Sequence, residues 1–213
     1  MDDNIKFFCR LYKQRKFKLL DGGMLRVIEE YVGRFKNVPL AGCQYRFFPA
    51  EKSPQVPFVL NTRIYSCQLM STEDKYEYRG RYNEDTIISL DVLNDGNCTM
   101  DFNICLIEKE ATQKLDGGNT AEFYAEEGTA PKSLMLKVAY PDETKLSERF
   151  SRDHHIVNYK KYYHNEPLYC DDYDPEDNRK ETDLFKFQKV RIWTASPMLP
   201  PLHNTLKACF FMS

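Results

Sequence analysis

Although the chain of 213 residues has seven cysteines, no two of them form a CxxC pair. That excludes zinc-ribbon, zinc-finger and thioredoxin-type chemistry, which needs two thiolates on one short turn. Cys9, Cys43, Cys67, Cys98, Cys105, Cys170 and Cys209 are scattered, in settings such as Phe7-Phe8-Cys9 and Cys209-Phe210-Phe211, where a thiol packs as a small hydrophobe. Their odd number argues against a secreted disulfide framework and leaves open one bridge between molecules. Long apolar runs are missing too: nothing approaches the roughly 18 residues of a bilayer-spanning helix. The opening Met1-Asp2-Asp3-Asn4-Ile5-Lys6 lacks the basic and then apolar pattern of a secretory signal. A protein of the producing cell's cytoplasm is expected, with no membrane partner and with the sequon Asn97-Cys98-Thr99 silent. An excess of charge is also lacking, because 30 Lys and Arg stand against 32 Asp and Glu for a formal charge of -2. A generic polyanion binder is therefore disfavoured, and nucleic acid with it.

What is present suffices for a packed core: 42% hydrophobic and 14% aromatic residues exclude global disorder, and the length fits a single domain over 1–213. Ile5 to Tyr12 and residues 16–20 read as strands, and Asp21-Gly22-Gly23 as a turn. Over 24–36 the apolar Met24, Leu25, Val27, Ile28, Tyr31, Val32 and Phe35 recur at three- and four-residue intervals, which predicts an amphipathic helix. Strand signals follow over 43–48, 58–70, 76–82, 86–93, 99–107 and 133–140, then a short helix over 142–150 and strands over 184–194 and 205–211. About ten strands with one long early helix predict a mainly β fold: an antiparallel β-sandwich with an amphipathic helix near the N-terminus.

Candidate chemistry is sparse. His154 and His155 are neighbours that a strand points to opposite faces, so with His164 and Cys170 they make a poor chelate, and no metal site is expected. A Cys-His pair such as Cys170 with His154 or His203 has no nucleophile elbow or oxyanion loop beside it. Asp21-Gly22-Gly23 and Asp116-Gly117-Gly118 lack the lysine and spacing of a phosphate loop. Lys6, Arg10, Lys13, Arg15, Lys16 and Lys18 interleave with Phe7, Phe8, Tyr12 and Phe17. Such a stretch could let a cytoplasmic β-sandwich bind a protein or single-stranded nucleic acid, against the plainer reading of cations outward and aromatics inward. Tyr159, Tyr162, Tyr163, Tyr169 and Tyr173 cluster before the acids of 171–177, which could meet that basic stretch on another copy.

The early order of strand, turn, strand and helix, followed by Gln44-Tyr45-Arg46-Phe47-Phe48-Pro49 and the tyrosine-rich Tyr76-Glu77-Tyr78-Arg79-Gly80-Arg81-Tyr82, resembles the polyhedrins of cypoviruses. These are occlusion-body matrix proteins of insect viruses. The likeness covers about the first ninety residues and fades after Asp91. It implies a non-enzymatic structural protein that assembles through trimers into a crystalline lattice within occlusion bodies, with virus particles as cargo. Bound nucleotides are implied by the resemblance alone, and no motif here carries them. In such a lattice Ile28, Val32, Phe35 and the five tyrosines Tyr159, Tyr162, Tyr163, Tyr169 and Tyr173 would be assembly contacts. Buried phenols and thiols would ionise late, so the lattice would hold at neutral pH and dissolve in alkali.

Overall fold

Two short runs that alternate in side-chain character, Ile5–Tyr12 (β1) and Arg15–Lys18 (β2), pair as an antiparallel hairpin with Arg10 opposite Phe17. In the computed structural model, residues 5–12, 15–48, 56–109, 130–149, 152–174, 188–191 and 207–210 are described. After the hairpin come α1 (Gly23–Val32), β3 (Leu40–Tyr45), β4 (Phe58–Leu60), β5 (Gln68–Met70), α2 (Glu84–Asn94) and β6 (Thr99–Lys109). Then follow α3 (Ala130–Ala139), β7 (Thr144–Arg149), β8 (Arg152–Val157), a 3-10 turn over Tyr159–Tyr162, β9 (Gln188–Arg191) and β10 (Lys207–Phe210).

The main sheet has six strands in the order β2-β1-β6-β3-β5, with β4 also on β6. β6 is its axis. Its second half pairs with β1 and its first half with β4, both antiparallel, while β3 runs parallel to it. A parallel neighbour needs a crossover, and α2 lies within the one between β3 and β6. Where Cys43 gives way to Gln44 the partner on β6 jumps from Phe102 to Leu106, a bulge that bends the strand.

Strand alternation sends side chains to two faces, and a helix covers each. Ala41, Cys43, Met100 and Phe102 meet Met24, Ile28 and Tyr31 of α1, with the Tyr31 ring 5.6 Å from Phe58 and 5.9 Å from Phe102. On the opposite face Leu40 packs with Ile64 and with Ile88 and Val92 of α2. Ile87, Leu90 and Leu93, on a further side of α2, pack with Leu136 of α3, Tyr140 and Tyr162. A Cβ on Gly42 would stand 2.2 Å from Ile64 Cγ2 and 2.4 Å from the Cys67 carbonyl oxygen. Only glycine lets the chain over 61–67 pass so close to β3.

The expected richness in strands holds, with three corrections of detail. The central pair β3–β6 is parallel, so the sheet is mixed rather than antiparallel. Among the described residues its faces are covered by α1 and α2, not by the second sheet of a sandwich. The early helix is also shorter than expected: α1 stops at Val32, where Gly33, Arg34 and Phe35 continue as turns closed on Glu29, Tyr31 and Val32 carbonyls. Among the other elements, 86–93 and 133–139 belong to helices and 144–149 to a strand, the reverse of expectation, and 76–82 forms no strand. Among the described residues no helix is long and apolar enough to cross a membrane.

Candidate active site at the carboxyl edge of the parallel strands

In α/β sheets ligands bind beyond the carboxyl ends of parallel strands, where the following helix presents its N-terminus. At this edge β3 ends in Tyr45 and runs on into Phe47 and Phe48, whose side chains are 73% and 53% exposed. Tyr45 stacks on Phe47 at 5.5 Å with 13° between the rings, and its ring is 5.0 Å from Tyr65. Phe47 and Phe48 are 4.3 Å apart. The Tyr45 hydroxyl and Lys109 Nζ, at the ends of β3 and β6, converge on Ser66 Oγ at 2.7 and 2.9 Å. Four rings and a cation thus share one solvent-facing corner, an apolar patch of the kind that marks a binding site.

Arg63 joins this corner to the start of α2. Its guanidinium lies 3.9 Å over the Tyr65 ring. Nη1 donates to Thr86 Oγ1 at 3.1 Å, and Nε is 3.8 Å from Asp85 Oδ2. Asp85 Oδ1 accepts from the Thr86 amide at 2.7 Å, which suits a carboxylate in a helix's first turn. Asn83, in the left-handed conformation at φ 56°, donates from Nδ2 to the Lys132 carbonyl at 2.8 Å. That bond holds the first turn of α3 beside the first turn of α2.

β8 brings His155 to the same place. Its Nδ1 is 3.4 Å from Ser133 Oγ, which in turn donates to the Asp153 carbonyl at 3.3 Å. Burial, followed by the charges of Lys132 and Arg63, holds the imidazole down to about 4, so it is neutral at pH 7. The Tyr159 hydroxyl is buried without a hydrogen-bond partner among the described residues, and burial raises its pKa. Below the corner Asp101 of β6 is 1% exposed. Its Oδ2 accepts from Gln44 Nε2 at 2.6 Å and its Oδ1 has no partner. Burial pushes this carboxyl up to about 7, with the Gln44 bond opposing.

Of the residues singled out from sequence, Tyr159 and His155 come to this site. Ile28 is completely buried on the inner face of α1, Val32 packs partly buried on the same core, and Phe35 stacks at 4.9 Å on Tyr169. Tyr173 lies 5.1 Å from Tyr169 and 5.4 Å from the Arg34 guanidinium. Tyr162 is buried and donates to Asn94 Oδ1 at 3.0 Å, while Tyr163 is exposed. In the basic hairpin Lys18 Nζ lies 4.7 Å from the Phe7 ring centre and Arg10 lies over Phe17. Asp171, expected to be available to another copy, pairs with Lys36 at 2.8 Å. Cys170 sits against the Gly33 carbonyl, at 3.5 Å, just past the end of α1, whereas His154 and His155 lie on β8. His203 lies outside the described residues, as do the acids beyond Asp174. Among the described residues no group of three or more His, Cys, Asp or Glu is placed to hold a metal ion. Arg63, Tyr65, Asp85 and Lys109 were not legible as a site from sequence. The one signal was Asn83-Glu84-Asp85-Thr86 ahead of an apolar run, a helix start.

The chain belongs to the TET-associated glycosyltransferase family, whose model matches residues 1–118, more than half of its length. Comparison with curated proteins and comparison with solved structures each found no match. The family match overturns the resemblance to polyhedrins, and with it the reading as a non-enzymatic matrix protein of viral occlusion bodies. It equally displaces the alternative of a non-catalytic binding module working through Lys6 to Lys18. The physical reason lies in the pattern used: strand, turn, strand and helix also opens this mixed sheet, and the tyrosine-rich 76–82 that extended the likeness forms no strand. The matched residues include Tyr45, Phe47, Phe48, Arg63, Tyr65, Asp85, Asp101 and Lys109, whereas Lys132, His155 and Tyr159 lie beyond them.

Proposed function

We propose that the chain is a glycosyltransferase that holds a nucleoside-diphosphate sugar at the carboxyl edge of β3 and β6. Support comes from the family match over 1–118, and the observation that carries the reading is the juxtaposition of exposed rings with Arg63 at a helix start inside that segment. Glycosyl transfer breaks the bond from the anomeric carbon to a phosphate oxygen, so negative charge grows on the diphosphate and must be held. Arg63 and Lys109 supply that positive character. Tyr45, Phe47, Phe48 and Tyr65 offer faces on which a base stacks, worth roughly 1–3 kcal/mol per base. A guanidinium hydrogen bond to phosphate contributes about 1.5–3 kcal/mol.

The test is calorimetric titration of the intact protein with UDP-, GDP- and ADP-glucose, beside Arg63→Gln. At least one donor binds, and the substitution weakens it tenfold or more, with the folded state checked by circular dichroism. No binding of any of the three, or equal binding by the variant, contradicts the assignment.

A further inference from the structure

We propose that His155 is the base that takes the proton from the acceptor hydroxyl, a role that rests on the glycosyl-transfer reading above. The hydrogen-bond chain sets its tautomer. Ser133 Oγ gives its proton to the Asp153 carbonyl at 3.3 Å, so toward His155 Nδ1, at 3.4 Å, it is an acceptor. Nδ1 therefore carries the imidazole proton and Nε2 keeps a lone pair. Asp85, a carboxylate beside it, is already engaged by the Thr86 amide, the Thr86 hydroxyl and Arg63.

The charged and titratable groups around His155 are Lys132 from α3, Arg63 from the segment before β5, Asp85 from α2 and His154 from β8 itself, while β7 places the apolar Leu146 opposite it. Burial with two of these cations makes the free imidazole a weak base. A bound diphosphate answers both cations, and imidazole basicity then climbs toward its ordinary value of about 6.5, near the pH at which a general base works best. Donor binding thus primes the base, and an acceptor is deprotonated only once the sugar is in place. In the step itself the acceptor oxygen bonds to the anomeric carbon while the carbon–phosphate-oxygen bond breaks. The bonding pair leaves on the nucleoside diphosphate, and the acceptor proton moves to Nε2 and later to water. With water as acceptor the same step is donor hydrolysis. His155 lies outside residues 1–118, so the later part of the chain completes the site.

The experiment uses the intact protein with the best-bound of UDP-, GDP- and ADP-glucose, following donor hydrolysis against pH and the imidazole signals by NMR, with His155→Gln for assignment. Donor affinity of His155→Gln stays within about twofold, kcat falls about 100-fold or more, and the acid limb of the pH profile disappears. In the wild type the His155 signal titrates well below the ordinary imidazole range and moves up by more than one pH unit when the matching nucleoside diphosphate is added. A His155→Gln enzyme with wild-type rate and acid limb overturns the role of His155 and leaves the donor site standing. An unchanged His155 titration on donor binding likewise overturns it, as does an acid limb that Asp85→Asn removes and His155→Gln keeps. A wild type that neither binds nor cleaves any donor overturns the glycosyl-transfer reading and this role together.

Discussion

Replacing Asp101 by Asn should shift stability in favour of the variant as pH rises. The carboxyl is 1% exposed, is bonded through Oδ2 to Gln44 and leaves Oδ1 without a partner. Burial raises its pKa from 3.8 to about 7. Between these values the folded state holds a proton that the unfolded chain has released. The stability linked to that proton is complete below about pH 3.8 and is lost as pH climbs through about 7. About three pH units at 1.36 kcal/mol each make the loss roughly 4 kcal/mol. Asn has the same shape, keeps an oxygen for Gln44 and never ionises. Its extra buried amide protons add a cost of about 1–3 kcal/mol that does not vary with pH, so the informative quantity is the change between two pH values. In urea unfolding the Asp101→Asn advantage should grow by roughly 3 kcal/mol from pH 4.5 to pH 8. Parallel stability curves for wild type and variant over that range would refute the reasoning.

Gly42→Ala puts a Cβ 2.2 Å from Ile64 Cγ2 and 2.4 Å from the Cys67 carbonyl oxygen. It should cost about 1–3 kcal/mol or more in denaturant unfolding, because backbone cannot give way as a side-chain tip does, and a neutral result would mean that 61–67 lies farther from β3. Phe47→Ser removes an exposed ring, so stability should stay within about 0.5 kcal/mol. Donor affinity should fall by roughly tenfold through lost stacking, and unchanged affinity would take Phe47 out of the site.

The position of α1 was legible because it has one wet and one dry side, which writes a period into the sequence, and the hairpin β1–β2 because apolar and basic residues alternate along its runs beside a turn signal. α2 was not, since Thr86, Ile87, Ile88, Ser89, Leu90, Val92 and Leu93 are all buried. A helix that is apolar on every side shows no stripe, and its β-branched residues imitate a strand. α3 deceives differently: Leu134, Leu136 and Val138 alternate as in a strand, yet Leu134 and Val138 are exposed and burial falls at Ser133, Leu136 and Tyr140, at helical spacing. With α2 and α3 read as strands, no crossover remained to make β3 and β6 parallel, so the edge that gathers ligands could not be seen. Tyr45, Phe47 and Phe48 were visible as an aromatic run. Arg63, Asp85 and His155 stand far apart in sequence and meet only through that crossover, so no local spacing announces them. The tyrosines of 159–173 were conspicuous by composition, and the fold uses them differently: Tyr162 buries a hydroxyl against Asn94 and Glu143, while Tyr169 stacks on Phe35.

Photo-crosslinking of the intact protein with the base-azido analogue of whichever of UDP-, GDP- and ADP-glucose binds, followed by peptide mapping, tests the location of the donor site most directly. Saturable labelling, competed by the matching nucleoside diphosphate, is expected on peptides carrying Tyr45 to Phe48 or Arg63 to Ser66. Saturable labelling confined to the opposite end of the sheet, or to the β1–β2 hairpin, would contradict that location.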